Sequence, residues 1–136
     1  TTCGYEINAP GKYALANDLG PCSGNGIIIN SGGVVLNLDN NQIGTEGALL
    51  IAEQLKNNLG LSKLYFDANG IGPEGCKALS DCMEKMDSLK KICLENNDIK
   101  DEGAKSLSKA LEENDTLLSL HLENNDISLP GAIALG

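Results

Sequence analysis

Apolar and polar positions along this chain alternate over short stretches and then change period. Leu64-x-Phe66, Ile92-x-Leu94 and Leu120-x-Leu122 put apolar side chains on one side of a short strand, at period two. Each stretch runs into an asparagine, and the apolar positions that follow fall at helical spacing: Ile51 and Leu55, Leu79 and Met83, Leu107 and Leu111. The pattern predicts strand, turn, helix, and then the same again. Laid over one another, Leu61-Ser-Lys-Leu64-Tyr-Phe66-Asp-Ala-Asn69-Gly-Ile71 recurs from Leu89 to Ile99 and from Leu117 to Ile127, with a weaker first copy from Gly33 to Ile43. The starts at 33, 61, 89 and 117 are each 28 residues apart, with no insertion. A glycine stands six residues after each asparagine (Gly47, Gly75, Gly103, Gly131), and a small residue follows it (Ala48, Cys76, Ala104, Ala132).

One such unit cannot bury both its strand face and its helix stripe. Stacked units can, giving an α/β solenoid, a right-handed coil with a parallel sheet inside and helices outside. The asparagine sits where the chain leaves the strand, where its amide can satisfy backbone groups of the turn. Thr45 and Asp101 read as helix N-caps, and Pro73 as a first-turn residue. Residues 33–136 resemble leucine-rich repeats, and the unbroken period with Gly-Ala after the asparagine resembles the ribonuclease-inhibitor-like class. That resemblance implies inner parallel strands, outer helices and, from its inhibitor members, protein recognition on the concave sheet face. The fourth unit stops early in its helix, at Gly136, without a polar closing segment. Its strand, expected over Leu117–Leu122, is then either the cut end of a longer array or a free edge.

Residues 1–32 lack the helix and the asparagine motif and are rich in Gly, Asn and Pro. Gly4-Tyr5-Glu-Ile7-Asn8 is echoed 22 residues later by Gly26-Ile27-Ile-Ile29-Asn30, and Tyr13-Ala-Leu15 is matched, with one residue of slippage, by Leu36-Asn-Leu38. This segment is similar to rungs of right-handed parallel β-helices of the pectin-lyase-like kind; an ad hoc N-terminal cap is the other reading. Either way Val34–Leu38 would belong to both halves, so the expected organisation is a β-helix-like cap over 1–32 and four repeats over 33–136.

Composition narrows the functional classes. A chain of 136 residues and 14.2 kDa is one domain, and with aromatics at 3 % its core must be aliphatic. The net charge is −9, from 19 acidic residues against 10 basic ones, all lysine, which excludes a nucleic-acid reader. Apolar runs such as Ala48–Ala52 are far below membrane-spanning length, so no membrane insertion is expected. No charged-then-apolar leader opens the chain, and Thr1 reads as a cut end.

Enzyme activity is not expected. The one histidine, His121, lies two residues from Ser119 on a strand face, no phosphate-cradling loop is present, and two rungs make no catalytic platform. Residues pointing out of the concave face fall in three columns: Val35, Lys63, Lys91, Ser119; then Asn37, Tyr65, Cys93, His121; then Asp39, Asp67, Glu95, Glu123; those of the last three repeats, Lys63 to Glu123, are the candidate partner-binding residues. With strands about 4.8 Å apart, the last column is a ladder of four carboxylates, which like-charge repulsion disfavours and Lys63 and Lys91 would partly offset. It reads either as an acidic trough for a basic protein partner or as a polar surface that binds nothing in particular. The competing class is a structural subunit, copies of the chain stacking head to tail into a filament through uncapped ends.

The Asn41, Asn69, Asn97, Asn125 series with its acidic neighbours suggests calcium, but the turn backbone needs those side chains, so no metal or cofactor is assigned. Glu84, Lys85, Lys105, Lys109, Glu112 and Glu113 read as a solvated convex face. Cys76 and Cys82 fall in slots held by alanine in other repeats, and Cys76 reads as an inert core thiol; no spacing suggests zinc. Cys3 and Cys22 flank one N-terminal rung and are a disulfide candidate; if bridged, an extracellular or cell-surface location is favoured, otherwise the cytoplasm. Asn114-Asp-Thr116 is an acceptor triplet for glycosylation at a helix end.

Overall fold

The computed structural model describes residues 33–56 and 60–136, with three short strands before them. Those are β1 (Tyr5–Ile7), β2 (Gly11–Ala14) and β3 (Ile27–Ile29). The repeats then alternate strand and helix: β4 (Val34–Asn37), α1 (Gly44–Leu55), β5 (Leu61–Tyr65), α2 (Gly72–Met83), β6 (Lys91–Cys93), α3 (Lys100–Glu113), β7 (Ser119–His121) and α4 (Leu129–Leu135). The expected fourth strand, Leu117–Leu122, is shorter at both ends. All pairing is parallel. One sheet has the order β2-β4-β5-β6-β7, and β1 pairs with β3 alone. Each helix packs on the next along the outside, so the architecture is the α/β solenoid the repeat pattern predicts.

The register follows the repeat. Leu36, Leu64, Ile92 and Leu120 are aligned across four strands, as are Val35, Lys63, Lys91 and Ser119. The first copy, weaker in sequence, is also the irregular one: the β4–β5 register slips between Val34 and Val35. Upstream, β1 pairs Tyr5 with Ile27, and β2 pairs Gly11 with Val34, so β4 has a parallel neighbour on either side. Both cysteines of the proposed Cys3–Cys22 bridge, and most of the segment read as β-helix rungs, lie outside the described residues.

The core is the space between sheet and helices. Leu36, Leu38, Leu64, Phe66, Ile92 and Leu94 fill it from the strand side, Leu55, Leu79, Met83 and Leu107 from the helix side, all fully buried. Cys76 occupies the small buried slot shared with Ala48 and Ala104. The glycine before that slot has a steric reason. A Cβ on Gly103 would stand 3.2 Å from the Cβ of Cys76 in the preceding helix and would collide with the Ile99 side chain. On Gly75 it would meet the Cβ of Ala48 at 3.0 Å. Small residues at these two positions set how closely successive helices approach.

Thr45 and Asp101 do not cap their helices as expected. The residues at the N-cap positions of α1, α2 and α3 are Ile43, Ile71 and Ile99, with no side-chain cap bond. Thr45 Oγ1 instead donates to the Ile71 carbonyl of the next repeat at 2.9 Å, and Asp101 accepts from the Ser128 N–H at 2.7 Å and from the Ser128 hydroxyl. An apparent capping residue is here a cross-link between neighbouring units. Pro73 does fall in the first turn of α2.

A glycine-to-alanine change inside an exposed helix normally stabilises it by about 1 kcal/mol. Gly103→Ala should do the opposite, because the added methyl has no room against Ile99 and Cys76. Urea unfolding beside Leu94→Ala and Leu107→Ala, each expected to cost about 2–5 kcal/mol, and Val35→Ala, expected to cost little, gives the scale. A gain in stability for Gly103→Ala would mean the helices do not pack this closely.

Candidate functional site: the concave face of the sheet

The strand alternation that buries Leu36, Leu64 and Ile92 turns the flanking residues outward. The expected columns are present in register: Asn37, Tyr65, Cys93 and His121 are aligned partners across β4 to β7. Lys63 is exposed, while Tyr65, Asp67, Lys91, Glu95, Ser119 and His121 are half-buried and Glu123 is exposed. Cys93 departs from expectation. It holds its place in the column but is only 4 % exposed, so its thiol is not offered to a partner. Burial, ahead of nearby charges, pushes that thiol's pKa up.

The lysines do not sit on the carboxylates. Lys91 Nζ stands over the Tyr65 ring, 5.4 Å from its centroid, in a cation–π contact. Nor is the acidic column uniform. Asp39 Oδ1 accepts the backbone N–H of Asp67 at 2.7 Å, and Asp67 Oδ1 accepts that of Glu95 at 2.8 Å. These two carboxylates are part of the turn-to-turn stitching. Burial, above all, raises the Asp39 pKa, the Asp67 N–H lowers it, and the Asp67 charge raises it again. Glu95 and Glu123 have no such backbone donor among the described residues. Glu95 Oε1 lies 3.7 Å from His121 Nδ1, and Glu123 Oε1 lies 3.9 Å from the same nitrogen. Loss of solvent, the Glu123 carboxylate and Asp67 together hold the Glu95 pKa above its usual value. On the other side of the ring, Ser119 Oγ is 3.0 Å from His121 Nε2.

The asparagine series is structural. Three of the buried asparagines accept the backbone N–H of their counterpart one repeat earlier: Asn69 Oδ1 from Asn41 at 2.8 Å, Asn97 Oδ1 from Asn69 at 2.9 Å, Asn125 Oδ1 from Asn97 at 2.8 Å. Their Nδ2 groups donate to carbonyls, Asn69 to Leu38 at 2.8 Å and Asn97 to Phe66 at 2.8 Å. With both ends of the amide used, these side chains are not turned toward a cation.

Asn114 is committed inward as well. Its Nδ2 donates to the Met83 carbonyl at 2.7 Å, and its Oδ1 accepts the N–H groups of Thr116 and Leu117, both at 2.9 Å. A glycan at this position would have to displace that bond to Met83. Lys85, Lys105, Lys109, Glu112 and Glu113 are exposed and Glu84 is half-exposed, a solvated convex face. No helix among the described residues is long and apolar enough to cross a membrane.

What the pattern did not reveal is the conformation of the turns. Asn40, Ala68, Asn96 and Asn124 have φ between 57° and 59°, and Gln42, Asp98 and Asp126 have φ between 51° and 57°. Left-handed residues thus alternate around each buried asparagine. The Asn, Asp and Gly content there was the available signal, since these residues tolerate that region best.

The family model described as Leucine Rich repeat matches this chain four times, over residues 34–52, 57–80, 87–108 and 113–136. No curated protein matches it. Among solved structures it is similar to one titled Leiomodin-1 Actin-Binding Site 2, with a TM-score of 0.65 and 23 % identity, over 74 % of this chain and 58 % of that one. The chain therefore spans little more than half the length of that neighbour, and the likeness is one of fold.

Burial makes a direct chemical prediction. It pushes the Cys76 thiol up to about 12 and the Cys82 thiol up to about 11. Since the thiolate is the nucleophile, both should resist iodoacetamide at neutral to mildly alkaline pH in the folded chain and react once it is unfolded. Peptide mass spectrometry reads each site separately. Labelling of Cys93 in the folded chain at the rate of a free thiol would contradict its burial.

Proposed function

Because the chain belongs to the leucine-rich repeat family, we propose that it is a non-enzymatic protein-interaction scaffold whose partner, basic in character, docks on the concave face. The observation that carries this reading is the aligned column of Asp39, Asp67, Glu95 and Glu123. It keeps four acidic groups along one edge of that face in a chain of net charge −9. Tyr65 and Lys91 beside it supply an aromatic contact surface of the kind that anchors interfaces. The solved neighbour is titled as an actin-binding site, which is consistent with a protein ligand for this architecture and makes actin one probe worth including.

Glu123 is the residue to reverse, because it is exposed and holds no backbone group, whereas changing Asp67 would also release the Glu95 N–H. Binding of a panel of small basic proteins and of actin, followed by surface plasmon resonance, should weaken several-fold on Glu123→Lys. It should also weaken as salt is raised, since exposed charge is screened within about 10 Å at 0.1 M. Affinity indifferent to both would remove the acidic face from the account.

A second reading rests on a separate surface. Leu118, Leu129 and Ile133 are 82 %, 72 % and 69 % exposed at the β7–α4 end of the solenoid. A strand edge beside apolar side chains is a template for another strand, so copies could stack head to tail, with the strand near Tyr5–Ile7 or Tyr13–Leu15 of the next copy continuing the sheet. Sedimentation velocity over a wide concentration range decides it. Stacking predicts growing particles that Ile133→Lys shortens; a monomer at every concentration ends the filament reading.

A further inference from the structure

We propose that Glu95, His121 and Glu123 form a binding site for a divalent transition-metal ion at the β6–β7 edge of the concave face. His121 Nδ1 is 3.7 Å from Glu95 Oε1 and 3.9 Å from Glu123 Oε1, and one donor atom from each of the three residues lies within 4.8 Å of the others. The two histidine–carboxylate separations are too long for hydrogen bonds and close to those between ligands of a single ion. With metal–ligand bonds of about 2.0–2.2 Å, tetrahedral ligands stand about 3.4 Å apart. The side chains of His121 and Glu95 are about one-third exposed and that of Glu123 more so, which leaves them on the solvent side of the sheet.

The surroundings favour the same occupant. Ser119 Oγ, 3.0 Å from His121 Nε2, can accept that nitrogen's proton, which leaves the Nδ1 lone pair facing the two carboxylates. An outer hydroxyl or carbonyl that fixes the tautomer is the usual companion of a metal-bound imidazole. Two carboxylates balance the charge of a divalent cation and lose their mutual repulsion in doing so. One imidazole nitrogen with two carboxylate oxygens suits Zn²⁺ and its first-row neighbours rather than Ca²⁺ or Mg²⁺, which prefer all-oxygen shells. The open face leaves a fourth position to water. With three partly exposed ligands the site holds its ion less tightly than a closed four-ligand one.

The inference does not rest on the scaffold reading, and its test needs no partner. Zn²⁺ is titrated into the tag-free 136-residue chain under reducing conditions, followed by calorimetry and by the ring resonances of His121, which are unambiguous because the chain has one histidine. One equivalent should bind and shift those resonances. Glu95→Gln, which is isosteric, and His121→Ala should each weaken binding about tenfold or more, with folding checked by circular dichroism. Cys93→Ser should bind as the wild type does. Ring resonances unmoved by stoichiometric Zn²⁺, a Glu95→Gln variant that binds unchanged, or binding lost with Cys93→Ser would each overturn the site; the first of these needs no variant at all.

Discussion

The fold depends on one hydrogen-bonded series, the buried asparagines at the strand-to-helix corner. A chain leaving a strand beneath a stack of others strands its N–H and C=O groups away from water, where an unpaired group costs about 1–3 kcal/mol. A primary amide can give and accept at once, and here it does both. Asn97 accepts the Asn69 N–H, donates to the Phe66 carbonyl of the repeat before it and donates to its own Glu95 carbonyl. One residue type thus closes its own turn and ties two turns together. Aspartate would lack the donors, and glutamine would need room that the tight corner does not give.

The second constraint is a uniform step between repeats. The parallel ladder does not stop where the strands end. Phe66 N–H reaches Cys93 O, Ala68 N–H reaches Glu95 O, and Gly72 N–H reaches Asn97 O, all at 2.9 Å. Those bonds fix the spacing on the inner side, and the outer side must match it. That is why glycine and a small residue open each helix: α1 to α3 must approach as closely as the sheet dictates. Thr45 and Asp101, by bonding to the following repeat, tie the helix starts to the same spacing.

The repeat architecture was legible in the sequence because every unit repeats the same packing problem, and the answer is visible four times over in Leu64, Ile92, Leu120 and their equivalents. The columns were read from strand alternation alone, and the residues of the first two are aligned partners across the strands. Where the reading missed, the reason was an interaction across repeats that a single unit cannot display. Asp101 looks like a cap in its own helix and is a partner of Ser128. Cys93 alternates outward, yet it is buried in its place between Tyr65 and His121 of the adjacent strands.

The acidic column shows how one methylene separates scaffold from surface. At the same repeat position stand two aspartates and then two glutamates. The aspartate carboxylate is short enough to turn back onto the N–H of its counterpart in the next strand, and both Asp39 and Asp67 do so. Its charge then serves the backbone, and little of its chemistry is left over. A glutamate at that place carries its carboxylate past the N–H and out over the face, where Glu95 meets His121 and Glu123. The column is continuous as a charge pattern and divided as chemistry. The N-terminal half is fastened into the sheet, and the C-terminal half holds its carboxylates beside His121.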